Sequence, residues 1–315
     1  MEVTRKEAAQ LLLAADDILI LCHRNPDGDT MGCAHALQHG LRSLGKRARI
    51  RCSDPFPSRY SFLWEGEAGQ DFAPRFIVSV DIADEGLFGE GLADCLGKVD
   101  LAVDHHPSHR FFARNTLLEP DSAACCEIIC LLLREMGVSL DRQAALCLYT
   151  GMATDTGCFK FSNTSPRTHR LAAEMMEAGA PYAEINKRVF ETKSAAEFAA
   201  EREALNTLEV HCGGQAALIV LSRELYSRCG VTEAELEGIP SLPTRLEGVE
   251  VGITVKEREP GSYKISMRSV KRVNVSDVCR QFGGGGHRYA AGCSLSGSLD
   301  EVKSAVLKAV EAALA

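Results

Sequence analysis

The stretch DILILCHRNPDGDTMGCAHALQHGL, residues 17–41, decides the fold. A run apolar on both faces (17–22) ends in a loop rich in Pro, Gly and Asp. Residues 30–44 then carry Met31, Ala34, Leu37, Leu41 and Leu44 at helical spacing and stop at Gly45. The same logic recurs downstream. Residues 76–80 and 101–103 are rich in Val, Ile and Leu, and each run ends at an acid, Asp81 and Asp104; residues 47–52 suit an edge strand. Doubly apolar strands interleaved with helices predict a parallel sheet covered on both sides, a three-layer α/β domain. Ligands of such sheets bind at the carboxyl ends of the strands.

Those ends are where titratable residues gather. HRNPDGD supplies His23, Asp27 and Asp29; VSVD supplies Asp81; DHH supplies Asp104, His105 and His106; GMATDTG supplies Asp155. Pro-Asp-Gly is also a common turn, and Asp29 could cap a helix. An acid after a strand can be a plain loop cap, and Asp155 could belong to a helix C-terminal turn. Three consecutive titratable residues at a strand end, however, are hard to satisfy as core filler. His23, Asp27, Asp29, Asp81, His105 and Asp155 together form a carboxylate and imidazole set without thiols. That set suits a hydrolytic Mn²⁺ or Mg²⁺ pair rather than a structural zinc.

Further along, residues 122–136 read as a buried helix stopped by Gly137. Residues 141–154 read as a second helix, with Asp155 just past its end, and 165–178 and 182–190 as two more. Residues 193–210 read as a polar connecting helix. Beyond it the pattern changes to strands (216–221, 249–255, 263–267) and helices (275–282, 299–314), an α+β domain; Ser298 and Glu301 have capping-box spacing. The expected organisation is a catalytic domain over 1–190, a helical linker over 191–214 and a smaller substrate-binding domain over 215–315. In that last part FGGGGHRYAAG places four glycines between a helix and an apolar strand. They predict a loop whose N–H groups meet a phosphate or carboxylate, with His287 as a further donor and Arg268 able to fork onto a phosphate.

Composition narrows the class. The 315 residues suffice for two cores, and 45% hydrophobic with 25% charged residues fits a soluble globular protein. No apolar stretch approaches a membrane span, and residues 11–15 are too short for a signal peptide; they suit an amphipathic helix leading into the first strand. Thirteen cysteines are scattered on apolar elements without a CxxC pair, which disfavours a zinc ribbon or disulfide framework and fits reduced thiols in the cytoplasm. A net charge of −8 argues against coating long duplex nucleic acid. Yet residues 259–290 hold six Lys or Arg against two acids, enough for a small anionic ligand.

Taken together, HRNPDGD, VSVDIAD, DHHPSH and the Asp155 segment, joined by Met267–Ser269 (MRS) and GGGGHRYAAG, resemble the DHH phosphoesterase superfamily with its DHH-associated C-terminal domain. The likeness covers the whole chain. Its length and the stretch SNTSPRTHRLAAEMMEAGA look like the bifunctional oligoribonuclease (nanoRNase) and pAp phosphatase group. RecJ-type exonucleases are similar in the first domain but usually longer. Family II pyrophosphatases carry a different C-terminal signature. The resemblance implies that His23, Asp27 and Asp81 hold one Mn²⁺, and that Asp29, Asp81, His105 and Asp155 hold a second, with Mg²⁺ as the alternative metal. His106 would contact the scissile phosphate or help protonate the leaving group, and Asp104 would orient a histidine. Arg268, Ser269, Gly284, Gly285, Gly286 and His287 would grip the substrate's far phosphate or base. Asn25, Lys160 and Ser162 are additional candidates.

The implied substrates are short single-stranded RNA and small phosphorylated nucleotides, including 3'-phosphoadenosine 5'-phosphate (pAp), acted on by a cytoplasmic monomer or homodimer without membrane contact. A second domain gripping the substrate's end would select for shortness. A soluble phosphodiesterase acting on pApA derived from cyclic-di-AMP would look almost the same. A non-catalytic nucleotide sensor would be marked by a lost ligand, and none of the six is missing.

Overall fold

The computed structural model describes residues 1–66, 68–236 and 238–315. The chain divides into two compact units, Met1–Thr192 and Lys193–Ala315.

The first unit opens with helix α1 (Arg5–Ala14), started by a capping box between Thr4 and Glu7. After it come β1 (Ile18–Leu21), α2 (Gly28–Ser43), β2 (Ala48–Arg51), β3 (Phe76–Val80), β4 (Leu101–Asp104), β5 (Asn115–Leu118), α3 (Cys125–Glu135), α4 (Arg142–Asp155), α5 (Pro166–Glu177) and α6 (Tyr182–Asn186). Among the described residues the five strands make one parallel sheet in the order β2-β1-β3-β4-β5. Strand alternation explains its two faces. Ile18 and Ile20 join Leu37, Leu41 and Ile129 in a helix-covered core. Leu19 and Leu21 instead meet Ile82, Phe88 and Leu92 on the opposite face. That second covering layer is thin and includes the 3₁₀ turns Glu85–Leu87 and Glu90–Cys95. Strand β5 escapes the sequence reading because Asn115–Leu118 is short and half polar.

Helix α2 packs closely on α4, and two glycines make this possible. A Cβ on Gly32 would lie 2.5 Å from the Cys147 carbonyl oxygen and 3.1 Å from the Gly151 nitrogen. A Cβ on Gly28 would collide with the Thr154 side chain. These glycines let the first turns of α2 rest on the last turns of α4. Helix α4 runs one residue further than expected, so Asp155 is its final residue rather than the one beyond it.

The second unit contains α7 (Ala195–Leu205), β6 (Glu209–His211), β7 (Ala216–Leu221), α8 (Arg223–Cys229), β8 (Val251–Glu259), β9 (Ser262–Ser269), α9 (Val275–Arg280), β10 (Gly285–His287), β11 (Ala290–Ser296) and α10 (Leu299–Leu314). Among the described residues its strands form a mixed sheet in the order β10-β11-β9-β8-β7-β6, with β7 and β8 parallel. The connecting helix expected over 193–210 is shorter, α7, because Glu209–His211 pairs with β7 as β6; α7 buries Ala200 and Ala204 in a cluster with Ile219, Leu221 and Leu225. The glycine run also differs from an open anion-binding loop. Gly285–His287 pairs with β11, the Gly284 N–H donates to the Cys279 carbonyl at 2.9 Å, and a Cβ on Gly286 (φ 143°) would lie 2.6 Å from the Ala290 oxygen. The glycines are first of all what a closely packed hairpin requires. Among the described residues no helix is long and apolar enough to cross a membrane.

Gly→Ala inside a helix ordinarily stabilises. At Gly32 the added methyl meets backbone that cannot yield, so Gly32→Ala is expected to destabilise by about 1–3 kcal/mol. Urea unfolding of the variant checks this, and equal or greater stability would contradict the close approach.

Candidate metal centre

Strands β1, β3 and β4 are neighbours and all parallel, so the residues at their carboxyl ends meet. His23 lies just past β1. Its Nδ1 donates to the Arg24 carbonyl at 2.8 Å, which leaves Nε2 facing Asp27 Oδ1 at 3.6 Å and Asp81 Oδ2 at 3.8 Å. His105 lies just past β4. Its Nδ1 donates to the Ser122 carbonyl at 3.1 Å, and Nε2 faces Asp81 Oδ1 at 3.4 Å and Asp155 Oδ2 at 3.8 Å. Both imidazoles are thus held by one nitrogen and present the other, the arrangement that fixes a metal-ligating tautomer.

Asp81 lies between them, directly after β3. Its φ of 59° is unusual for a residue with a Cβ, and such backbone costs about 1–3 kcal/mol. The Asp81 N–H to Val103 carbonyl bond (3.0 Å) holds it there. Asp27 caps α2, accepting from the N–H groups of Asp29 (3.0 Å) and Thr30 (3.1 Å). The capping alternative therefore applies to Asp27, not Asp29, and coexists with its approach to His23. Asp29 instead receives the N–H groups of Cys125 (2.6 Å) and Cys126 (3.0 Å) at the start of α3, where Ala124 offers no side-chain cap. Thr30 Oγ1 donates to the Val80 carbonyl at 3.1 Å and ties the start of α2 to the end of β3.

Among the described residues, three of the four His/Cys/Asp/Glu groups able to surround a cation lie at this centre: His23, Asp27 and Asp81; Asp29, His105 and Asp155; and Asp81 and His105 with the adjoining His106. The fourth, Asp29 with Cys33 and Cys126, lies in the core beneath. Electrostatics favour positive charge here. Burial, the Asp29 charge and the Asp27 charge push Asp81 up to about 7 against the pull of His105. Burial and the same neighbours push Asp155 up to about 8. Burial disfavours the charged imidazoles, but the surrounding carboxylates outweigh it and raise His23 to about 9 and His105 to about 12. Among the described residues, the buried Asp81 Oδ1 and His105 Nε2 have no hydrogen-bond partner although they face each other at 3.4 Å. Four carboxylates and two imidazoles, with unpartnered atoms turned inward, fit hard to borderline divalent cations.

His106 and Asp104 sit beside this centre. His106 Nδ1 lies 2.8 Å from Asp104 Oδ1, which also accepts the His105 N–H at 2.8 Å. Asp104 is fully buried. Of the additional candidates, Asn25 is exposed, has φ 51° and donates its N–H to Asp54 Oδ2 at 2.7 Å; Lys160 and Ser162 are exposed.

The second-unit residues gather on their own sheet. Ala290 is in register with Arg268 on one side and His287 on the other, so all three side chains emerge on one face. Arg268 is half-buried; it donates to the Met267 carbonyl at 3.0 Å and, among the described residues, has no carboxylate at ion-pair distance. Burial lowers its pKa. Ser269 Oγ is committed to Glu250 Oε1 at 3.0 Å, a carboxylate that also gathers the N–H groups of Lys271 and Val273. The sequence held no sign of the carbonyls of Arg24 and Ser122 or of the α3 amides, since backbone groups leave no residue signature.

Comparison with known proteins agrees with this architecture. The DHH family N-terminal domain matches residues 17–152, and the DHHA1 domain matches residues 221–315. The chain belongs to the DHH family and is a phosphoesterase. It is 31% identical over 313 residues to a bifunctional oligoribonuclease and PAP phosphatase, NrnA, of Thermus thermophilus, covering 96% of this chain and 92% of the relative. The Bacillus subtilis protein of the same name is 23% identical, over 92% of this chain and 93% of its own. The crystal structure of an exopolyphosphatase-related protein from Bacteroides fragilis superposes with a TM-score of 0.88 at 24% identity, covering 98% of this chain and 95% of that one, which shows the shared fold.

The raised pKa values set a pH dependence for cation binding. A bound cation needs Asp81 and Asp155 ionised and the imidazoles neutral, so binding must release protons. Affinity is therefore expected to rise about tenfold or more from pH 6 to pH 8. Calorimetry with Mn²⁺ as probe, in buffers of different ionisation enthalpy, measures both quantities. A pH-independent dissociation constant without proton release would contradict the electrostatic picture.

Proposed function

We propose that the protein is a Mn²⁺-dependent phosphoesterase that hydrolyses short oligoribonucleotides to mononucleotides and pAp to AMP. The observation that carries this reading is the position of Asp81, one oxygen of which faces His23 and the other His105. His23, Asp27 and Asp81 would hold one ion; Asp29, Asp81, His105 and Asp155 would hold the other. Two divalent cations bound there would acidify a water and offset charge on the phosphoryl oxygens.

The remaining roles fall to side chains. Asp104 fixes His106 through Nδ1. Burial lowers the pKa of that imidazole, but the Asp104 hydrogen bond and the Asp81 charge outweigh it and raise the value overall; His106 would give a proton to the leaving oxygen. Arg268, with no acid at ion-pair distance among the described residues, takes a substrate phosphate together with His287 on the same face. Gly284, Gly285 and Gly286 let the hairpin come close to that ligand, and Ser269 orders the strand end through Glu250. The names of the Thermus thermophilus and Bacillus subtilis relatives support the choice of short RNA and pAp.

A substrate panel tests the reading: purified protein with Mn²⁺ is offered pAp, pApA, a five-nucleotide RNA, a long RNA and pyrophosphate. Turnover of the first three, little of the long RNA, and none in Asp81→Ala are expected. Equal rates on long RNA would remove the selection for short substrates, and unchanged activity in Asp81→Ala would overturn the metal assignment.

A further inference from the structure

The chain leaving Asp155 adopts the most unusual backbone of the first unit. Gly157, Cys158 and Phe159 have φ of 57°, 59° and 62°, three successive left-handed residues of which two carry a Cβ. Such residues are sparse and persist only where surroundings over-determine them. Here Thr156, fully buried, does so. Its Oγ1 donates to the Met152 carbonyl at 2.6 Å and accepts the Phe159 N–H at 3.0 Å, and its own carbonyl accepts the N–H groups of Lys160 and Phe161, each at 3.0 Å. Asn163 closes the loop, donating to the carbonyls of Asp155 (3.2 Å) and Ala123 (3.0 Å).

The product of this strain is the display of one ring. Phe161 is 57% exposed, although Phe159, two residues earlier, tucks against Tyr149 and His169. The Phe161 ring lies directly against Gly157, where any Cβ would strike it. The ring is therefore backed by bare backbone on that side, while Lys160 and Ser162 to either side are exposed. The loop folds back through Thr156, so Phe161 is one hydrogen bond away from the residue adjoining Asp155. A single exposed ring flanked by Lys160 and Ser162 is too small for a protein interface, but it has the dimensions of a nucleobase. Stacking on such a ring tolerates every base, because each has a π-face.

We propose that Phe161 is a nucleobase-stacking platform of the catalytic unit, holding the base of the nucleotide whose phosphate is cleaved, with Lys160 adding positive charge beside it. This rests on the proposed function and adds how a phosphoesterase centre would prefer nucleotides to other phosphate esters.

The test compares pApA with a 5'-phosphorylated ribose dinucleotide lacking both bases. Phe161→Ala is expected to raise KM for pApA about 5- to 150-fold, the range for one stacked base, and to leave the abasic substrate unchanged. Phe161→Tyr is expected to restore the wild-type KM. A readout free of turnover uses Phe161→Trp: AMP should quench the new indole emission, and ribose 5-phosphate should not. The chain's other tryptophan is Trp64, so the wild-type titration serves as the blank. An equal effect of Phe161→Ala on both substrates, or none on either, overturns the platform. Failure of the wild type to cleave either substrate overturns the functional reading instead.

Discussion

Mutual repulsion among Asp27, Asp29, Asp81 and Asp155 is the constraint around which the first unit is organised. Burial together with like charges this close disfavours full ionisation, which is why Asp81 rises to about 7 and Asp155 to about 8. A protein gains nothing for its stability by assembling such a set. The surrounding structure holds it regardless, through a left-handed Asp81, two imidazoles tethered to carbonyls, and a carboxylate buried on the amides of α3. Each device makes sense if the set serves to hold cations, and none is needed otherwise.

The sheet and the glycines supply the geometry. Parallel strands bring His23, Asp81 and His105 to one edge, since every strand ends on the same side. Asp29 and Asp155 come from helices, and their meeting depends on α2 lying close against α4. That closeness depends in turn on Gly28 and Gly32. The second unit repeats the principle with a different chemistry. Its glycines let a hairpin lie close to its neighbours, and strand register aligns Arg268 with His287.

Much of this was legible beforehand because the chemistry stands at places that sequence marks well. Apolar runs ending in Asp81, Asp104 or His23 announce both a strand and a candidate site, and the DHH resemblance ordered the candidate ligands. What stayed hidden was of another kind. Backbone acceptors have no side chain to read. Asn115–Leu118 is too short and polar to stand out as a strand. The strained turn after Asp155 arises from a particular set of local hydrogen bonds around the buried Thr156 and from the long-range bond of Asn163 to the Ala123 carbonyl, and no propensity scale would place Phe159 or Cys158 in a left-handed conformation. The glycine run shows a further limit, since its pairing with β11 and its close packing could not be read from the glycines themselves.

Two cations sharing Asp81 would leave a signature beyond activity. Electron paramagnetic resonance of the protein loaded with Mn²⁺ tests this directly, because two manganese ions bridged by one carboxylate are magnetically coupled. Two ions per chain with an exchange-coupled spectrum, reverting to the signal of isolated ions or to no binding in Asp81→Ala, is the predicted result. A wild-type protein that binds a single ion, or two without coupling, would contradict the account.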